Sequence, residues 1–385
     1  MNILAVNHFF EQDLDALHES NPGHKLRVVQ ASEFHSRASR CFGCRVFEDV
    51  PGYAMYSTPL QRFVYSLLVR RMLARLTEDF PLDLFVVPSD SIFYLREPIR
   101  LLRKWGIPTV VVQKETGMSP WTLDAFAKAT GRYLPFTADH MTVNSELQRQ
   151  FWVTAGTPPE RMTITGQPRF DFYAKPVDKT ALKASLGYPS GKKVVLFLSY
   201  MLSAYAPDEV DMWESQRTAT EKALIGACVR ADAILAVKPH PQQPIGGYRE
   251  LLAKLGARID TGVVIVRNTA DTKTLLSVAD VVVGFQSTAM YESIASCTPT
   301  VYAGWGPEAE AVRDQLLPLW DMHPAVTVAR SGEHLSQVVL EQLASPTVLS
   351  PDAARRAAEP QLGPLDGRSC ERVWAVLEQR GGARP

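Results

Sequence analysis

The sequence predicts an α/β protein built of two Rossmann-like, doubly wound parallel-sheet domains facing each other across a cleft. Three observations carry this. Short runs rich in Val and Ile recur along the chain, each is apolar on both faces, and helix-length segments separate them. Such alternation implies right-handed βαβ crossovers and open sheets. The length of 385 residues accommodates about two or three domains at ~150 residues each.

In the first half the runs are Asn2–Val6, Leu26–Gln30, Asp83–Pro88, Thr109–Gln113, Met141–Asn144 and Met162–Thr165. In the second they are Lys193–Leu198, Ala233–Val237, Val263–Val266, Val281–Phe285 and Thr300–Ala303. Between the halves a polar stretch with Pro176, Gly187, Pro189 and Gly191 reads as a linker. The expected domains are therefore 1–175 and 190–350, followed by a tail over 351–385. In that tail a helix near Ser369–Glu378 carries Val373, Trp374 and Leu377 as an apolar stripe.

Composition narrows the function classes. Hydrophobic residues make up 46% and charged residues 21%, as in ordinary globular proteins. Lys plus Arg total 41 and Asp plus Glu total 41, a balance that argues against gripping a nucleic acid. It leaves room for a small anion held by a local cluster. Met1–Val6 lacks a basic n-region, so it reads as a strand rather than a leader. No apolar run approaches the ~18 residues of a membrane span. The best membrane-surface candidate, Phe63–Leu76, carries Arg70, Arg71 and Arg75 spread around its wheel and reads as an ordinary helix with snorkelling cations. Five cysteines suit a reducing cytoplasm. Cys41 and Cys44, with His35 upstream, lack the second ligand pair of a structural zinc site and read as free thiols.

Ligands in doubly wound sheets bind outside the carboxyl ends of strands. Neither half carries a GxGxxG or P-loop sequence. Instead, one strand ends in Gln286-Ser287-Thr288 and opens a helix running to about Ala295. A helix start with two hydroxyls suits a phosphate, and Glu292 one turn on can accept from ribose; plain helix capping is the alternative. Lys238-Pro239-His240-Pro241 ends another strand, where prolines fix the directions of a cation and an imidazole. In the first half, Asp90 and Glu115 sit at comparable strand ends. Gly117 lets a ligand approach Glu115, which favours it as a general base, whereas Asp90 alone reads as an N-cap. Arg169 follows a proline-stiffened turn and can reach phosphate or pair with Asp171, and His8 faces the expected cleft.

These motifs resemble those of two-Rossmann glycosyltransferases of the GT-B type, over most of the chain. Pro88-Ser89-Asp90, Gln113 to Gly117 and Gly166 to Asp171 are similar in order to non-hydrolysing UDP-N-acetylglucosamine 2-epimerases. That likeness implies acid/base roles for Asp90 and Glu115. Lys238 to Pro241, then Ala279-Asp280 through Gln286-Ser287-Thr288 and Glu292, resemble capsule and teichoic-acid transferases, including CDP-glycerol glycerophosphotransferases. That likeness implies a donor phosphate at the Ser-Thr turn. The chain departs from the epimerases at Asn7 to Glu11 and at Ser199 to Ser203. The resulting expectation is a cytoplasmic, metal-independent transferase at the inner face of the membrane, using no cofactor. It would move a sugar or sugar-like group from a nucleotide-sugar donor to a glycan or glycolipid hydroxyl. Its catalytic candidates are Glu115, Asp90 and His8; its donor-binding candidates are Lys238, His240, Gln286, Ser287, Thr288, Glu292 and Arg169. A nucleotide-sugar epimerase and a non-catalytic binder are the alternatives. A peripheral membrane contact and a homodimer are also within this expectation.

Overall fold

A computed structural model of the chain describes residues 1–114, 117–189, 191–200, 210–240, 247–260, 262–265 and 271–382. These residues form two compact units, Met1–Ala174 with Pro360–Pro385, and Lys175–Glu359. The segment expected as a tail thus divides: the chain returns to the first unit within the helix Pro351–Leu362.

The first unit is built on a six-stranded parallel sheet of β1 (Asn2–Asn7), β2 (Lys25–Gln30), β3 (Leu84–Val87), β4 (Thr109–Val112), β5 (His140–Val143) and β6 (Met162–Ile164). Its order is β2-β1-β3-β4-β5-β6. The two-faced apolar runs explain why it is a sheet covered on both sides. Leu4, Val6, Phe85, Val87 and Val111 enter one core. Their neighbours Ile3, Ala5, Leu84, Val86, Val110 and Val112 enter the other. That second core is sealed by Val373, Trp374 and Leu377 of the last helix, Ser369–Gly381. Trp374 donates its indole N–H to Leu17 O at 3.0 Å.

Asp171 anchors the N-terminus of that helix, accepting from the backbone N–H of Ser369 at 2.7 Å and of Cys370 at 2.8 Å. A carboxylate is favoured there because the free N–H groups carry positive partial charge. Asp171 is therefore not the partner of Arg169. Gly166 fits the same junction: its φ is +73°, and an added Cβ would fall on Ser369 Oγ.

The second unit has a sheet of β7 (Val194–Leu198), β8 (Ile234–Lys238), β9 (Val263–Ile265), β10 (Val281–Gly284), β11 (Thr300–Tyr302) and β12 (Val326–Val328). Its order is β12-β11-β10-β7-β8-β9, all parallel. All the expected strands are present; β12 is additional. It is three residues long, lies at the sheet edge and buries only Val326 fully, so it lacks the long apolar run that marks the others. Asp280, at the opposite edge of the sheet from the strand carboxyl ends, accepts from Lys183 at 2.8 Å and from the backbone N–H of Val194 at 2.8 Å.

His140 ties the last helix to β5 and β6. Its Nε2 lies 2.9 Å from Thr163 Oγ1, and Nδ1 faces Arg380 Nη2 at 2.9 Å. Burial, then the charges of Arg380 and Arg161, push its pKa down to about 4. An unfolded histidine titrates near ~6.5, so below that pH the unfolded chain binds a proton the folded one refuses. Stability contributed here is complete above about pH 6.5 and falls as the pH drops toward 4. Between pH 7 and 5 the wild type should lose roughly 2 kcal/mol more than His140→Gln, read from denaturant melts at both pH values.

Candidate functional site

Each sheet has one point where the strand order reverses, and the loops leaving the carboxyl ends on either side part there to leave a crevice. In the second unit that point lies between β7 and β10. The register places Lys238 opposite Leu198, and Leu198 opposite Gly284. Lys238 therefore ends at the same level as the strand that leads into Phe285-Gln286-Ser287-Thr288. Burial lowers the pKa of Lys238, and the carboxylates of Asp271 and Glu292 oppose this. Lys238 and Glu292 are thus within electrostatic reach of each other, on two elements that sequence alone does not join. Glu292 is buried within the helix Ala289–Ala295. His240 is pushed down by burial and then by Lys238, which favours its neutral form.

The hydroxyls beyond β10 have different duties. Ser287 Oγ accepts from the Ala289 N–H at 3.3 Å. Thr288 precedes the helix without a side-chain capping bond. Gln286, expected to contact donor, is engaged internally. Its Nε2 donates to Tyr302 Oη at 3.1 Å, and its Oε1 accepts from the Leu317 N–H at 2.6 Å. It braces the loop beside the site. Past Tyr302 the same edge opens into a cavity of about 200 Å³ lined by Trp305, Trp320, Arg313 and Arg330, which extends the surface available to a ligand.

In the first unit the reversal lies between β1 and β3. His8 stands at the end of β1, half-buried, with its ring 6.5 Å from that of Tyr94. Burial, then the charges of Lys114 and His35, push its pKa down to about 4. Lys114, at the end of β4, lies 5.4 Å over the Phe9 ring. Its own pKa is lowered by burial and by Arg169. His8, His35, Lys114 and Arg169 thus make one basic crevice. Lys114 and His35 were legible only as neighbours of other candidates, because their convergence depends on strand order.

One expectation is corrected here. Asp90 is fully buried and serves the fold: its carboxylate accepts from the backbone N–H groups of Thr137 and Ala138 and from Thr137 Oγ1, with Arg96 at 3.7 Å. Burial raises its pKa against these partners. No substrate atom can reach it. Arg169, in the first unit, lies 3.7 Å from Asp13 and 4.9 Å over Phe170. Asp13, itself buried, also accepts from Gln167 Nε2 at 2.9 Å and the Arg169 N–H at 3.1 Å, so it holds the turn after β6. Glu115 lies outside the described residues.

The two parallel-sheet units, each with a switch point at its strand carboxyl ends, make a two-Rossmann architecture of the GT-B type. Sequence comparison makes this specific. Residues 122–379 match the model of the family CDP-glycerol:poly(glycerophosphate) glycerophosphotransferase, and the chain belongs to that family. It is accordingly an enzyme of nucleotide-activated transfer in surface-polymer synthesis, with a nucleotide-activated donor and a glycan-type acceptor.

Solved structures agree in fold. The wall teichoic acid polymerase TagF has a TM-score of 0.61 at 10% identity, over 99% of this chain and 89% of that one. A UDP-GlcNAc 2-epimerase from Neisseria meningitidis bound to UDP-GlcNAc has 0.56 at 12% identity, over 98% of this chain and 100% of that one. A glycosyltransferase from Rickettsia africae has 0.56 at 11% identity, over 99% of each chain. At these identities the likeness, the epimerase's included, is one of fold. No curated protein sequence matches the chain.

Removing the Asp90 carboxylate should cost stability and spare chemistry. Asp90→Ala is expected to lose roughly 2–4 kcal/mol in denaturant melts, because buried donors are left unpaired. Nucleotide affinity per folded molecule, by calorimetry, should stay within about twofold of wild type, with Asp90→Asn as the milder variant if Ala does not fold.

Proposed function

We propose that this enzyme transfers a polyol-phosphate or sugar group from a CDP-glycerol-like donor to a hydroxyl of a growing surface polymer or glycolipid. The observation that carries this reading is the common level of Lys238 and the β10 end at the second unit's switch point. There Lys238, Ser287 and Thr288 would hold the donor phosphates, His240 would contribute a hydrogen bond, and Glu292 would take ribose hydroxyls. The acceptor oxygen forms a bond to the transferred group while the bond to the nucleotide phosphate breaks, and the nucleotide leaves with that electron pair. Lys238 and the hydroxyls would stabilise this leaving charge without a metal, a preorganised role worth ~10²–10³ in turnover per donor.

The first unit would activate the acceptor. With its pKa near 4, His8 is neutral at neutral pH and can accept the hydroxyl proton. Lys114 would favour the developing alkoxide. Glu115 is the other candidate base, adjacent to Lys114 in the chain. Since nucleotide-activated donors are cytoplasmic metabolites, we place the reaction in the cytoplasm at the inner face of the membrane.

Two variants separate binding from chemistry. Ser287→Ala with Thr288→Ala should weaken nucleotide binding at least about tenfold by calorimetry; unchanged affinity would overturn the donor site. His8→Gln should keep nucleotide affinity and lose ~10²–10⁴ in transfer, measured as acceptor-dependent nucleotide release. If Glu115→Gln rather than His8→Gln shows that loss, the base is Glu115.

A further inference from the structure

Trp152, Trp213 and Trp374 are buried, as large apolar side chains in a packed fold should be. Trp305 and Trp320 are only half-buried, and both line the cavity of about 200 Å³ past Tyr302. The loop that carries Trp305 is tightly built. A Cβ added at Gly304 would fall 2.6 Å from the rings of Phe285 and Tyr302, and Gly306 has a φ of +94°. Trp305 is thereby held at the exit of β11 between two positions that favour glycine. Trp320 sits on the short helix Leu319–Asp321, with Arg313 Cζ 5.3 Å over its ring. Arg313 in turn lies 3.7 Å from Glu310. Gln286, bonded to Tyr302 Oη and to the Leu317 N–H, ties this wall to the loop of Ser287 and Thr288.

The lining selects its occupant. At about 200 Å³ the cavity is smaller than the ~300 Å³ or more of pockets that enclose a whole drug-sized ligand, so it takes one ring rather than a nucleotide. Charge does not favour an anion there. Arg313 and Arg330 are offset by Glu310 at the cavity and by exposed Glu308, Asp314 and Asp321 in the neighbouring loops. What remains is a pair of indoles ringed by guanidinium donors and a carboxylate acceptor. A sugar ring meets both features. Its C–H face packs on the electron-rich indole, and its hydroxyls, each donor and acceptor, meet Arg313, Arg330 and Glu310. Glycerol has no continuous C–H face to lay on an indole.

We infer that this cavity binds one uncharged sugar ring, carried by the transferred group or by the acceptor glycan. A pyrimidine base would also stack on indole, but the sheet order directs it elsewhere. Lys238 and Glu292 act on each other, so ribose hydroxyls taken by Glu292 lie on the β7–β8 side of β10, with the base beyond them. The cavity lies on the other side of β10, at β11 and β12. The inference deepens the transferase reading and rests on it for the source of the ring; the binding itself does not. It narrows the substrates from polyol or sugar to a pair in which at least one partner carries a ring.

The test is saturation-transfer NMR of the full chain with the methyl pyranosides of glucose, galactose, N-acetylglucosamine and N-acetylgalactosamine, with glycerol and cytidine as comparisons. At least one pyranoside should bind, with millimolar affinity. Trp305→Ala and Trp320→Ala should each weaken it at least about tenfold. Arg330→Gln, at an exposed position where folding is spared, should weaken it about threefold. CDP affinity by calorimetry should stay within about twofold in all three variants. Comparing CDP-glucose with CDP-glycerol assigns the source of the ring. Tighter CDP-glucose binding that Trp305→Ala erases places the ring on the donor. Equal binding of the two, with the pyranoside signal kept at saturating CDP, places it on the acceptor. Absence of pyranoside binding, or binding that none of the variants alters, overturns the proposal. So does glycerol or cytidine binding that Trp305→Ala removes. These titrations need no turnover, so a failed donor site, seen as unchanged CDP affinity in Ser287→Ala with Thr288→Ala, is read separately.

Discussion

Burial of both faces of two parallel sheets constrains everything else in this protein. A strand apolar on each side has no room for chemistry along its length, so polar function is confined to its ends. The amino ends are used for anchoring, as Asp280 shows with Lys179, Lys183 and the Val194 N–H. The carboxyl ends receive the reactive residue types: His8 after β1, Lys114 after β4, Lys238 closing β8 and Ser287-Thr288 beyond β10. The last helix completes this arrangement from a distance in sequence. Without Val373, Trp374 and Leu377 the second face of the first sheet would lie open, and β1, which positions His8, would lose its cover.

The carboxylates divide by burial. Asp13, Asp90 and Asp171 are all enclosed, and each accepts hydrogen bonds from backbone N–H groups where the chain turns. A carboxylate so engaged is held by donors that would each be left unpaired if it moved, which makes it a poor proton carrier and a good staple. In the first unit's crevice the group we propose to exchange a proton with an acceptor is accordingly the imidazole of His8. Its depressed pKa follows from the same burial and from neighbouring cations. On that proposal, lower basicity is the consequence of keeping a neutral base beside Lys114, and the cations would offset it by favouring the alkoxide that proton removal creates.

The fold was legible because its signal is local and repeated: a run such as Val281–Val283 is unambiguous by itself. β12 was not, since an edge strand of three residues needs no long apolar run. The polar strand exits of the second unit were half legible. Lys238 and Thr288 advertise themselves by residue type at a strand exit, but Gln286 shares that pattern and is spent on Tyr302 and Leu317, contacts that loop packing decides. Asp90 misled for the same reason. A carboxylate at a strand end looks the same in sequence whether it points to solvent or, as here, to the Thr137–Ala138 turn. The basic crevice was illegible as a unit because His8, His35, Lys114 and Arg169 come from distant segments, and only the sheet order brings them together.

The zero net charge conceals a strongly uneven distribution. Several acidic residues pair locally with a basic neighbour three or four positions away, as in Glu146–Arg149 and Glu371–Arg368. Such pairs cancel charge in the sum and contribute little to stability. At the strand carboxyl ends Lys114 lies near Arg169, and Lys238 near Asp271 and Glu292. A basic group is easily tolerated on an exposed helix, where water solvates it, but costs more in a half-buried crevice, where burial itself lowers the pKa of Lys114 and Lys238. That cost is recovered only when an anion or a developing negative charge arrives. A neutral protein can thus be selective for anions at a few places without attracting polyanions everywhere else, because its long-range field cancels while its local fields do not.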